Sequence, residues 1–242
     1  MSNTLPGGWI NAVVRIGDTV RRSQHPRSPY VHRLLAHLGA RQWPGAPRFL
    51  GVDEDEREIL SFLDGRAAWR QEDQVHVRAE ASLTKVAALA RQLHDLTEGT
   101  ELAEGGTVVC HNDLSPKNTV YRRGEPVAFV DWDLAGPGDR VHDVAHICWQ
   151  YLDLGHATVD VTEAARLVGV ICDGYGLVDR GEVVGTVLWW QDRCRSGIEA
   201  GAAAGDPAMI RLRDHGALAA VGTAHDWVRE HQLELEQRIR QR

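Results

Sequence analysis

Short alternating runs of apolar and polar positions dominate residues 1–65. Val13, Val14 and Ile16 fall in a β-rich run from Trp9 to Ile16. Gly17-Asp18 is a hairpin signal, and Thr19-Val20-Arg21-Arg22 reads as the return strand. Pro26 and Pro29 punctuate the exit. Val31, Leu34, Leu35 and Leu38 then recur at helical spacing between Tyr30 and Leu38, with Gly39 as the stop. Phe49 to Val52, the acidic turn Asp53-Glu54-Asp55-Glu56 and Ile59 to Leu63 predict a second hairpin, closed by Asp64-Gly65.

The period then changes. A long helix is expected over 75–96, with Val86, Leu89, Leu93 and Leu96 on one face. Three strand signals interrupt at 107–110, 119–121 and 127–130. Helical patterns follow at about 141–154, 162–174, 181–203 and 207–239. The expected fold class is α+β: a small β-rich lobe over 1–65, a connector near 61–66, and a larger, mainly helical lobe over 66–242.

A chain of 242 residues suits one large domain or two small lobes. With 43% hydrophobic and 25% charged residues, it is neither a disordered chain nor a collagen-like repeat. A net charge of −7 argues against a general nucleic-acid or membrane-surface binder. Cys110, Cys148, Cys172 and Cys194 show no C-x-x-C spacing, so reduced thiols in a cytoplasmic setting are expected. No apolar run approaches the ~20 residues that span a bilayer, and no signal peptide is visible.

The chemistry concentrates in Val109-Cys110-His111-Asn112-Asp113-Leu114-Ser115-Pro116-Lys117-Asn118-Thr119-Val120, followed by Phe129-Val130-Asp131-Trp132-Asp133. A strand ends at Cys110, a polar loop carries His111, Asp113 and Asn118, and the third strand delivers Asp131. Such a unit can gather Asp113, Asn118 and Asp131 at one edge. Two carboxylates and an amide oxygen are hard ligands that suit Mg²⁺.

His111-x-Asp113-x-x-x-x-Asn118 with the later Val130-Asp131-Trp132-Asp133 resembles the catalytic segment of the aminoglycoside phosphotransferase family, which has the protein-kinase-like two-lobe fold. The resemblance implies that Asp113 takes or orients the proton of an attacking hydroxyl, that Asn118 and Asp131 hold Mg²⁺ on nucleotide phosphates, and that His111 shapes the loop. Asp143 resembles the family's helix-start aspartate, which hydrogen-bonds that loop; the alternative is a first-turn Asp favoured by the helix dipole. Asp133 reads either as a supporting carboxylate or as a strand end. Leu93-His94-Asp95-Leu96 resembles a family helix end with a packing role.

The small lobe resembles the family with departures. Gly7-Gly8-Trp9-Ile10-Asn11 is similar to its glycine-containing nucleotide loop, which makes Gly8 and Asn11 nucleotide-contacting candidates. Val20 would wall the base together with Phe129 or Val130. Arg22, with Arg21 as the alternative, stands where the family has a phosphate-contacting Lys. The family's next helix supplies a Glu to that Lys; here the place holds Val31 and His32. Glu58 to Gly65 resembles the interlobe hinge, with Ser61 and Leu63 offering backbone groups to the base.

For the acceptor, Trp189, Trp190, Asp192 and Glu199 are the candidates. The two tryptophans face different directions. The implied activity is a Mg²⁺-dependent phosphotransferase moving the γ-phosphate of ATP or GTP to a hydroxyl of a small molecule, such as an aminoglycoside-like antibiotic, an amino alcohol or a sugar. Partners would be the nucleotide and that acceptor, with no nucleic acid and no membrane. A non-catalytic nucleotide- or small-molecule-binding protein on the same fold is the alternative. A metal-dependent hydrolase is a third reading.

Overall fold

The computed structural model describes residues 2–4, 13–69 and 73–241. Gly7, Gly8, Trp9 and Asn11, and with them the expected nucleotide loop, lie outside the described residues.

The first sheet comprises β1 (Ser2–Thr4), β2 (Val14–Ile16), β3 (Thr19–Ser23), β4 (Phe49–Val52) and β5 (Arg57–Ser61), in the order β1-β2-β3-β5-β4 with antiparallel neighbours. Gly17 turns the β2–β3 hairpin with φ of 59°, a left-handed conformation that glycine adopts without steric cost. Helix α1 (Ser28–Ala40) intervenes between β3 and β4. Val31, Leu34, Leu35 and Leu38 are all buried on one face, as their spacing predicts. Gly39 lies inside the last turn of this helix rather than ending it.

The chain leaves β5 through residues 62–65 and enters a second sheet at β6 (Arg66–Ala67). Gly65 approaches the backbone there so closely that a Cβ would sit 2.7 Å from the Tyr121 carbonyl oxygen. Two helices follow, α2 (Gln74–Val77) and α3 (Glu80–Thr97). The single helix expected over 75–96 is thus broken, because Ala79 adopts an extended conformation at the start of α3.

Strands β7 (Val108–Cys110), β8 (Thr119–Arg122) and β9 (Glu125–Phe129) appear where the strand signals fall. They do not form one sheet. β8 and β9 make a hairpin that pairs with β6, while β7 pairs with β10 (Gly136–Gly138).

The remainder is helical: α4 (Arg140–Leu152), α5 (Val161–Tyr175), α6 (Val183–Ala203), α7 (Pro207–Asp214), α8 (Ala217–Glu230) and α9 (Gln232–Arg240). The stretch expected as one helix over 207–239 is divided. Asp206 caps α7 through its side chain, Gly216 breaks the chain with φ of 82°, and His231 separates the last two helices. The core lies where α3 packs on α4, α5, β7 and β9, with Leu83, Leu93, Ile147, Leu152 and Ile171 buried. That core fixes the floor beneath the polar loop between β7 and β8. No helix among the described residues is long and apolar enough to cross a membrane.

Candidate active site

The loop after β7 is suspended from one buried carboxylate. Asp143, in the first turn of α4, is fully buried. Its Oδ2 accepts the His111 N–H at 2.7 Å and its Oδ1 accepts the Asn112 N–H at 2.9 Å. His94 on α3 adds a third contact at 3.1 Å and reaches the Tyr175 hydroxyl at 2.7 Å with its other nitrogen. Burial opposes ionisation of Asp143, but the His94 contact and the loop N–H outweigh it and hold the carboxyl below the usual carboxylate range. Asp143 thus holds the loop from α4, and His94 has a polar task beyond packing.

Other contacts complete the frame. His111 donates from Nε2 to the Val130 carbonyl at 3.1 Å, and its ring lies 4.6 Å from that of Trp132. His146 bonds the Leu114 carbonyl at 2.9 Å through Nδ1. Tyr151 donates to the Ser115 carbonyl at 3.2 Å and shares a short contact with the Thr119 hydroxyl. Asn112 adopts φ of 64°, a left-handed conformation that Asn tolerates better than most residues.

Asn118 ends the single 3₁₀ turn Pro116–Asn118 and turns its amide back onto the loop. Its Nδ2 donates to the Asp113 carbonyl at 2.9 Å and to Asp113 Oδ2 at 2.7 Å. A carboxylate only accepts, so the amide nitrogen must face Asp113 and the amide oxygen must face away. Asp131 follows β9 with φ of 64° and ψ of 64°, and its side chain is half exposed. Its carboxyl is pushed up by partial desolvation in the crowded cluster and by the charges of Asp133 and Asp113, and the charge of Arg22 only partly compensates.

Arg22 enters this cluster from β3. Its Nη2 donates to Asp133 Oδ1 at 2.6 Å, and its Nη1 lies 3.5 Å from Asp131 Oδ1. His25 also approaches Asp133, at 3.0 Å. Arg21 points the other way, donating to Thr19 Oγ1 at 2.6 Å and lying 3.5 Å from Asp53. Strand alternation therefore delivers Arg22, and not Arg21, to Asp131 and Asp133. The contact with Arg22 gives Asp133 a role beyond ending a strand.

The residues present fit a hard divalent cation. Asp131 and the outward oxygen of Asn118 offer oxygen ligands, and the crowding of Asp113, Asp131 and Asp133 leaves excess negative charge. Among the described residues, His94, Cys110 and Asp143 bring their ligand atoms within 4.8 Å of one another. Their chemistry does not fit a metal. Both Asp143 oxygens serve the loop, and burial, with Asp143 and Asp139 nearby, pushes the Cys110 thiol well up, against forming a thiolate ligand.

At the hinge the Ser61 N–H and hydroxyl are already engaged. Ser61 has spent its groups on Arg48: its N–H donates to the Arg48 carbonyl at 2.9 Å and its Oγ accepts the Arg48 N–H at 2.9 Å. It does not offer that N–H to a base. Leu63 lines a cavity of about 280 Å³ with Pro44, Asp64, Arg122, Val127 and Ala128, which contains none of Asp113, Asn118 or Asp131. Phe129 is fully buried beneath His111, so of the expected base-walling residues only Val20 and Val130 keep exposed surface.

The α6 candidates separate. Trp190 is core, donating to the His142 carbonyl at 2.8 Å, whereas Trp189 is 44% exposed and stacks on His142. Asp192 pairs with His225 of α8 at 3.3 Å, and Glu199 is exposed. Burial pushes the Cys194 thiol of α6 up, with Asp113 adding to the shift and Lys117 opposing it.

The sequence alone does not single out Glu58, His25, His146 or Tyr151. Glu58 shares a face of β5 with the buried Leu60, but it closely follows the acidic run at 53–56 and nothing local sets it apart.

A family model described as "Phosphotransferase enzyme family" matches residues 100–183, the segment that holds all of Asp113, Asn118, Asp131 and Asp143. The trifolitoxin immunity protein of Rhizobium leguminosarum bv. trifolii is 33% identical over 200 residues, covering 72% of this chain and 73% of that protein. An ethanolamine kinase of Plasmodium vivax has a similar structure, with a TM-score of 0.71 and 13% identity over 98% of this chain and 83% of that one. The GDP complex of an aminoglycoside 2'-phosphotransferase-IIIa gives a TM-score of 0.58 and 14% identity over 100% of this chain and 92% of that one.

Proposed function

Because the chain belongs to the phosphotransferase enzyme family, we propose that it transfers the γ-phosphoryl group of ATP or GTP to a hydroxyl of a small molecule. The observation that carries this reading is the convergence of Asp113, Asn118 and Asp131 with Arg22 at one edge of the polar loop.

Each residue has a chemical task. Asp113 Oδ2 is held by Asn118, which leaves the other oxygen to accept the proton of the attacking hydroxyl. The acceptor oxygen forms the new bond to phosphorus, and the bond to the β–γ bridging oxygen breaks in line. Arg22 offsets charge on the transferring group. Asn118 and Asp131 would hold Mg²⁺, which supplies neutralisation of phosphate charge when bound. His94 and Asp143 hold Asp113 in place through the backbone of the loop. Catalysis of this kind is chiefly positioning and electrostatics.

We read the acceptor as an antibiotic-type hydroxyl compound rather than a sugar of central metabolism; the similarity to the trifolitoxin immunity protein over most of the chain supports this reading. In this reading Trp189, exposed on α6, offers the acceptor an aromatic face.

The test is transfer of labelled phosphate from γ-labelled ATP and GTP to a panel of amino alcohols, sugars, aminoglycosides, macrolides and hydroxyl-bearing peptide antibiotics. Magnesium-dependent labelling of one antibiotic class, removed by chelation, is expected. Release of free phosphate at the same rate with and without every acceptor would replace this reading with a hydrolase.

A further inference from the structure

Arg22 is anchored from its own sheet. β3 and β5 pair so that Arg22 stands directly opposite Glu58. Residues opposite one another on an antiparallel pair share a face and bring their side chains together. Glu58 is fully buried, and its Oε1 accepts from Arg22 Nε in a short contact. Its Oε2 lies 2.7 Å from His32 Nε2, and the His32 ring stacks on Phe49 at 3.8 Å. A buried carboxylate is stable only when paired and hydrogen-bonded, and both oxygens of Glu58 are engaged.

We propose that Glu58 is the positioning residue for Arg22, so that strand pairing rather than α1 sets the phosphate-contacting cation. This rests on reading the site as a nucleotide phosphotransferase. A carboxylate carried by a mobile helix can be withdrawn by moving the helix. A cross-strand partner cannot be withdrawn without breaking the β3–β5 pairing. In this chain α1 contributes only His32, which acts on Glu58 and not on Arg22. α1 is itself tied to the larger lobe, through Tyr30 to the Leu102 carbonyl at 2.8 Å and His37 to the Leu96 carbonyl at 2.8 Å. The cation site is therefore assembled permanently, with no helix-operated switch.

The test follows the Arg22 Nε–H by NMR in the full chain, with the resonance assigned by its loss in Arg22→Lys. In wild type this proton is expected to exchange slowly. Glu58→Gln should speed its exchange by about tenfold or more, and Glu58→Asp, which keeps the charge one methylene back, should fall between. His32→Ala should leave more protection than Glu58→Gln. Phosphoryl transfer should follow the same order, with the loss falling on kcat more than on nucleotide KM. Wild-type exchange at Arg22 in a folded Glu58→Gln protein overturns the proposal, as does His32→Ala stripping protection as fully as Glu58→Gln. If Glu58→Gln gives no dispersed spectrum, Glu58→Asp and His32→Ala decide by the same comparison. Absence of transfer by wild type would count against the phosphotransferase reading, while the exchange data would still decide the role of Glu58.

Discussion

Asp113→Asn is expected to reduce phosphoryl transfer by roughly 10²–10⁴-fold while nucleotide affinity changes only a few-fold. The substitution preserves shape. The new amide oxygen can still accept from Asn118 Nδ2, which now meets Asp113 Oδ2 at 2.7 Å, so the loop keeps its frame. The atom facing the acceptor becomes an NH₂, which donates and cannot take a proton. The loss therefore falls on kcat, because the missing interaction matters most as the hydroxyl gives up its proton. Steady-state kinetics, paired with calorimetric titration of Mg-nucleotide, separate the two quantities. A variant that retains more than half of wild-type kcat would remove Asp113 from the proton path.

The second large effect concerns stability. Asp143→Asn should destabilise the fold by roughly 3–5 kcal/mol, the cost typical of breaking a buried charged network. One amide oxygen can serve one of the two loop donors, His111 N–H or Asn112 N–H, now bonded at 2.7 and 2.9 Å. The other donor then faces an NH₂ group and is left buried without an acceptor. For a chain of this length the loss corresponds to a fall of about 10 °C in the unfolding midpoint.

The pH dependence carries a definite sign. Asp143 has a folded-state pKa below its ordinary value, held down by His94 and the loop N–H against the cost of burial. The stability it supplies is fully present above roughly pH 4, the unfolded-state value, and disappears as pH falls through the folded-state pKa. The gap between wild type and Asp143→Asn should thus be constant from about pH 5 to 8 and narrow below about pH 4. A gap that widens on acidification would contradict this assignment of the carboxylate. Midpoints from calorimetric scans at several pH values supply the comparison.

The catalytic segment was legible in the sequence because its residues are local. Asp113 and Asn118 are five positions apart, and a loop, one 3₁₀ turn and a short hairpin bring Asp131 beside them. The Gly17-Asp18 hairpin and the apolar face of α1 were legible for the same reason. Glu58 was not. Its pairing with Arg22 spans 36 positions and depends on β5 docking beside β3, which no local pattern announces. The short strand β10, Gly136–Gly138, has no side-chain alternation to reveal it, and its pairing with β7 is set by backbone alone. The division of the segment after α6 turned on Gly216 and the Asp206 cap, small signals inside a continuous helical pattern. The α6 tryptophans could be told apart only once α4 was in place, since His142 takes the Trp190 N–H and leaves Trp189 outside.

The proposed transfer depends on Asn118, Asp131 and Arg22 forming a seat for a Mg-nucleotide. The most direct measurement is the unfolding midpoint of wild type and Asp131→Asn, with and without millimolar ATP or GTP and Mg²⁺. A ligand that binds only the folded state must raise the midpoint, by about 2.7 kcal/mol of added stability at a hundredfold excess over Kd. A magnesium-dependent rise of several degrees is expected in wild type and should vanish in Asp131→Asn. The unliganded variant should be at least as stable as wild type, because Asp131 is crowded by Asp133 and Asp113. An equal rise in both proteins, or none in wild type at millimolar nucleotide, would rule out such a seat.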